Sequence, residues 1–214
     1  WRLDAGLRQM RRAFVENIKT TLALSHYEHE EIEIAGATET IGTQLRNNTV
    51  SLRSEIEQRP LGRVTGRLGA EWLRREYRAE GEEALAPPTD QTSLAAFVYD
   101  EVDFGQTRLQ VGGRVERNAY TPGERPKGAG EAAEEHGFEA PPVRARRFVG
   151  ASASFGVHRD LGSANAVVVN ASLASRAPAL EELYNFGPHV GNLAFEVGNA
   201  DLALERTRGV DVSL

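Results

Sequence analysis

The sequence predicts an all-β protein: an antiparallel transmembrane β-barrel segment of about nine long strands, with short turns on one side and long loops on the other. Three observations carry this. Apolar and polar residues alternate with a period of two through most of the chain, and helical periodicity is scarce. Several alternating runs reach about 13–17 residues, well beyond the ~5–6 of an ordinary strand. The connections alternate strictly between short and long, which for sequential antiparallel strands gathers every long loop on one side.

The elements follow in order. Runs 2–12 and 16–27 flank the short connection Ala13–Val15. The long, acidic stretch His26–Gly42 leads to run 43–59, where Val50, Leu52 and Ile56 oppose Ser51, Arg53 and Glu55. Pro60–Gly62 turns the chain into run 63–79, and Ala79–Asp90 is again long. Runs 91–103 and 106–120 meet at the tight turn Phe104–Gly105. In the second, Leu109, Val111, Gly113 and Val115 share one face and Arg108, Gln110, Arg114 and Glu116 the other. The long connection Thr121–Ala145, rich in Gly, Pro, Glu and Ala, reads as a mobile loop. Runs 146–160 and 164–176 are joined at Leu161–Ser163, and in the latter Val167, Val169, Ala171 and Leu173 share a face. The last long connection, Arg176–Ala203, precedes run 203–214. On the barrel reading the apolar faces meet lipid, and the many Arg and Glu within strands line the lumen. A soluble β-rich binding domain also alternates, but a sandwich rarely needs strands this long.

Composition narrows the function. The 214 residues are read as one domain, 1–214, a partial barrel. With no cysteine, a disulfide framework and a thiolate metal site are excluded. A net charge of −6 argues against nucleic acid as a partner. No apolar run approaches the ~18 residues of a membrane helix. The start on Trp1 and the strand-like end GVDVSL suggest an internal piece of a longer protein.

The stretch Ser175–Asn199 stands out among the long connections. It holds Pro178, Gly187, Pro188, Gly191 and Gly198 beside His189, Glu181, Glu182, Tyr184, Phe186 and Phe195. Its Leu, Tyr and Phe content predicts an ordered loop at the mouth. Of five histidines, His26, His29, His136 and His189 fall on the long-loop side and His158 lies near a short turn. Imidazole and carboxylate are what Zn²⁺ accepts where no thiolate is available. His189 is therefore the first candidate metal ligand, helped by His26, His29 or Glu28. His26 and His29, three apart, face opposite sides of a strand and could share a metal only if the strand ends near Ser25. Glu181 and Glu182 suit the capping of a short turn around Pro178–Tyr184. Tyr184 and Phe186, with these two acids, form a candidate ligand-binding loop for an organic molecule. The plainer alternative is that acidic external loops are simply solvated.

Enzyme signals fail. His29-Glu30-Glu31-Ile32-Glu33 lacks the second His of the zinc-protease helix, and 128–133 lacks the last Gly of a dinucleotide loop. There is no G-x-S-x-G elbow and no phosphate-binding loop. No catalytic site and no required cofactor are expected, which counts against an outer-membrane hydrolase.

Arg176-Ala177-Pro178, Glu181-Glu182-Leu183-Tyr184, Gly187-Pro188-His189, Phe195 to Asn199 and Leu202 to Glu205 together resemble TonB-dependent outer-membrane receptors. Their G-P-H and F-E-x-G-N spellings look most like the zinc-uptake (ZnuD-type) subgroup. The stretches Arg59–Gly62, Ala86–Thr92 and Leu109–Tyr120 look like barrel strands of the same receptors. The resemblance implies a barrel of about 22 strands with an N-terminal plug. It also implies a Gram-negative-type outer-membrane location and energy from the TonB–ExbB–ExbD complex acting through the plug. No plug or TonB box is recognisable in this sequence. The function implied is uptake of a scarce nutrient, a metal ion such as zinc or a metal complex. The alternative cargo is a siderophore, cobalamin or glycan.

Overall fold

A computed structural model describes residues 1–10, 14–35, 38–81, 84–126, 137, 139–162, 164–189 and 194–214, excepting the side chains of 33–35. Eight strands follow one another: β1 (Arg2–Leu7), β2 (Val15–Ala35), β3 (Thr38–Gln58), β4 (Val64–Glu80), β5 (Thr89–Asp103), β6 (Thr107–Pro122), β7 (Arg146–Asp160) and β8 (Ala166–Arg176). A short helix α1 (Leu180–Tyr184) and a small hairpin of β9 (Phe186–His189) and β10 (Ala194–Val197) come next, then β11 (Glu205–Ser213). The main sheet is antiparallel in the order β1-β2-β3-β4-β5-β6-β7-β8-β11, open, with β1 and β11 at its edges. All nine predicted strands are present.

The register separates two faces. Leu22, Leu52, Trp72 and Leu94 lie in one row across β2 to β5, and Val111, Phe155, Ala171 and Val210 in another across β6 to β11. This face exposes large apolar side chains, among them Val149 at 69 % and Val210 at 73 %. Such a surface belongs against hydrocarbon. The opposite face carries an ion-pair network instead: Arg53 to Glu55 and Glu71, and Arg114 to Glu71 and Glu116. Arg53 also lies 4.3 Å above the Phe97 ring. These opposite charges satisfy one another within β3 and β6 and across β3, β4 and β6.

Three expectations need correction. The first strand stops at Leu7, five residues short of 12, and Gln9 turns away with φ +54°. The expected long connection His26–Gly42 is instead a hairpin: β2 runs to Ala35 and β3 starts at Thr38. The ladder continues there because polar cross-strand pairs replace apolar ones, notably Arg46 with Glu28 and His26 with Asn48. The last connection is not a bare loop, since it folds into α1 and the β9–β10 hairpin. Residues 127–136 and 138 of the Thr121–Ala145 stretch, His136 among them, lie outside the described residues.

Candidate functional site

The segment after β8 folds back onto the lumen face and packs there. Leu180, Leu183 and Tyr184 of α1 join Tyr77, Ala79, Ala84, Ala86, Tyr120 and Phe148 in one apolar cluster, with Leu45, Leu202 and Leu204 against it. Tyr77, Tyr120 and Phe148 are lumen-facing positions near the long-loop ends of β4, β6 and β7. The Tyr120 hydroxyl donates to Pro178 O at 2.8 Å and Arg146 donates to Leu202 O at 2.8 Å, so both limbs of the segment are tied to the wall.

Each acid and aromatic of the predicted ligand-binding loop has a structural partner. Glu182 accepts from the Ala179 N–H at 2.7 Å and from Arg176 at 3.0 Å, closing the first turn of α1. The Arg176 guanidinium, and then the Ala179 N–H, hold the Glu182 carboxyl below the usual carboxylate range. Glu181 accepts from Arg75 of the wall at 3.0 Å. Tyr184 is fully buried and donates to Arg144 O at 2.9 Å. Burial pushes its phenol up to about 12. Phe186 is 1 % exposed, edge-on to Phe195 at 5.2 Å and under the Arg125 guanidinium. Tyr184 and Phe186 therefore present no surface to a ligand in this conformation, because the loop spends them on its own core.

The remaining signature residues lock α1 from outside. Gly198 N–H donates to Asn185 O at 2.6 Å and Asn199 N–H to Glu182 O at 2.9 Å, capping carbonyls at the C-terminal end of α1. A Cβ on Gly198 would come within 2.8–2.9 Å of the backbone of Leu183, Tyr184 and Asn185. Arg176 and Glu205, partners in the β8–β11 ladder, pair across the base at 2.7 Å.

The histidines separate. His189 ends β9 and lies diagonally across the small hairpin from Glu196, and its Nδ1 is 2.7 Å from Glu196 Oε1. Asn185 Nδ2 donates to the other Glu196 oxygen at 2.6 Å. A carboxylate on Nδ1 fixes the ring, as the carboxylate does in a carboxylate–histidine–metal arrangement. His189 lines a pocket of about 140 Å³ with Glu31, Thr43, Leu45, Tyr77, Leu85 and Glu181 among its walls. His29 is a lumen-facing position with Nε2 3.6 Å from Glu31. His26 and Glu28 stand on the other face of β2, engaged with Asn48 and Arg46. The four predicted metal ligands thus divide, His189 and His29 to one side and His26 and Glu28 to the other. Among the described residues no three His, Cys, Asp or Glu side chains converge as a ready metal cage. Glu196 and Glu31 are the residues that sequence reasoning left among the generic loop acids. The β9–β10 register, with Ala194 opposite His189 and Glu196 opposite Gly187, places 189 diagonal to 196. His158, near the short turn Leu161–Ser163, faces the lumen with Arg108 at 3.2 Å.

Long antiparallel strands, one lipid-type face, one charged face and an inward-folded loop define an outer-membrane β-barrel wall. No helix among the described residues is long and apolar enough to cross a membrane. The chain belongs to the TonB dependent receptor-like, beta-barrel family, which matches residues 1–214. This is a family of receptors rather than of enzymes. A solved structure described as the copper transporter OprC is similar in fold, with a TM-score of 0.75 at 14 % identity. The alignment covers 99 % of this chain and 34 % of that one, so this chain spans about a third of its relative's length.

Proposed function

We propose that this chain is part of the wall and mouth of an outer-membrane receptor for a scarce nutrient, a metal ion such as zinc or a metal complex. Cargo is captured at the long-loop end and passes through the lumen, driven by the TonB–ExbB–ExbD complex acting on a plug supplied by the whole receptor. The observation that carries this reading is the His189–Glu196 pair, an imidazole oriented by a carboxylate in the wall of a pocket that also includes Glu31. The metal-named relative OprC supports the same class of cargo. Of the predicted ligands, His189 is the one retained as a direct donor. Glu31 supplies negative charge beside His189, whereas Glu181 is held by Arg75. With Leu45, Ala79, Leu85 and Pro188 in its wall and no ready cage among the described residues, the pocket suits a metal that keeps some ligands of its own. A siderophore, cobalamin or glycan is the competing cargo, and the apolar wall is what favours it.

The test is calorimetry of the full-length receptor with Zn²⁺ and with Cu²⁺, alongside Glu196→Gln and His189→Ala. Removing the orienting carboxylate should weaken binding about 10- to 100-fold, and removing the imidazole at least as much. Binding no tighter than millimolar, or binding unchanged in His189→Ala, overturns the metal reading.

A further inference from the structure

We infer that Thr43 and Asn185 hydrogen-bond the organic shell of the cargo, which is a small metal chelate bearing N–H or O–H donors rather than a bare ion or a bulky carrier. This rests on the reading of His189 as a metal donor. The cleft at His189 is a seam between two surfaces. Glu31, Thr43 and Leu45 belong to the lumen face of β2 and β3, and Leu85, Asn185 and His189 close over them. Among the described residues, four buried side-chain polar atoms have no hydrogen-bond partner: His29 Nδ1, Thr43 Oγ1, Arg146 Nη1 and Asn185 Oδ1. Three of the four gather at this seam. Thr43 and Asn185 line the cleft, and His29 is the next lumen-facing position below Glu31. Thr43 is only 5 % exposed and stands opposite Glu31 in the β2–β3 ladder.

The unpartnered atoms set the chemistry of what meets them. Asn185 Nδ2 donates to Glu196 at 2.6 Å, which fixes the amide and leaves Oδ1 as an acceptor. An ionised Glu31 is acceptor-only as well, while the Thr43 hydroxyl can give or take a hydrogen. A ligand that completes the seam therefore brings donors. Polar groups buried without a partner cost free energy, and a matched donor recovers it. A hydrated ion also carries O–H donors, but its water shell gains nothing against Leu45 and Leu85. A chelate turns N–H groups to the acceptors and carbon to the leucines. The cleft sets the upper size, at about 140 Å³ against the roughly 300–1,000 Å³ that encloses a drug-sized molecule. A siderophore or cobalamin overfills it, whereas a chelator the size of one amino acid does not.

The experiment is calorimetry of the full-length receptor with three probes: Zn²⁺ alone, the equimolar zinc–histidine chelate, and the same chelate of Nα,Nα-dimethylhistidine. The last keeps the metal, imidazole and carboxylate but has no amine N–H. The wild type should hold the histidine chelate roughly 10- to 100-fold more tightly than the dimethyl one, which leaves buried acceptors unpaired. Thr43→Val keeps the side-chain shape and removes the hydroxyl, and should shrink that ratio about 2- to 10-fold. Thr43→Ser, which retains the hydroxyl, should preserve it. Equal affinity of the wild type for the two chelates, tighter binding of Zn²⁺ alone than of the histidine chelate, or an unchanged ratio in Thr43→Val overturns the inference and leaves the metal reading standing. Binding of none of the three probes overturns the metal reading, and this inference with it.

Discussion

Replacing Gly198 with Ala probes whether the folded segment is one cooperative unit. The added methyl would lie 2.8 Å from Tyr184 N and 2.9 Å from Asn185 N and Leu183 C, all backbone atoms that cannot rotate away. Residues 196–199 must retreat, which strains or breaks the Gly198 N–H bond to Asn185 O and the Asn199 N–H bond to Glu182 O. Each bond contributes about 0.5–1.5 kcal/mol. Overpacking adds about 1–3 kcal/mol, partly the same energy counted twice. A local penalty of about 2–4 kcal/mol corresponds to roughly 30- to 800-fold faster opening. Amide hydrogen exchange of the full-length receptor should therefore accelerate by that factor over 180–186, while β3 to β7 keep their protection. Gly113→Ala is the control, since a Cβ there meets Val98 Cγ1 at an ordinary 3.6 Å. Unchanged exchange over 180–186 in Gly198→Ala would show that Gly198 does not lock α1.

Two further outcomes follow from the same segment. Glu182 has a depressed folded-state pKa, so its capping contribution is complete above the ordinary carboxylate pKa and is lost as pH falls through the folded value. Exchange over 179–185 should thus rise on acidification below about pH 4.5 in the wild type but not in Glu182→Gln, and only modestly, because the side chain is 44 % exposed. Tyr184→Phe deletes the bond to Arg144 O and leaves a carbonyl without its donor, loosening the segment by about 1–2 kcal/mol. Protease nicking at 185–200 would report it, and an unchanged nicking rate would show that the hydroxyl is dispensable.

The strands were legible because lipid enforces alternation: Leu109, Val111 and Val115 cannot exchange places with Arg108, Gln110 and Arg114 without putting charge into hydrocarbon. That same signal explains the misplaced hairpin. Beyond Leu24 the outward positions of β2 become His26, Glu28 and Glu30, so hydrophobic alternation fades while the hydrogen-bonded ladder continues. A polar strand above the belt reads as a loop. The capping of α1 by Glu182 was readable from local spacing. The burial of Tyr184 and Phe186 was not, since it depends on Tyr77, Tyr120 and Phe148 arriving from strands far away in sequence. His189 was found by its chemistry, whereas its partner Glu196 depended on a hairpin only four residues deep on each side.

The β2–β3 hairpin has a consequence for what meets this protein first. From Leu24, at the top of the apolar belt, β2 continues eleven residues to Ala35. At ~3.3 Å per residue and a tilt of about 40° this lifts the tip roughly 28 Å above the lipid. His189 and its pocket lie well below that height, level with Glu31 and Thr43. Among the described strands this hairpin carries the chain farthest past the apolar belt, so it is the part of this chain that a folded protein arriving from that side would meet first.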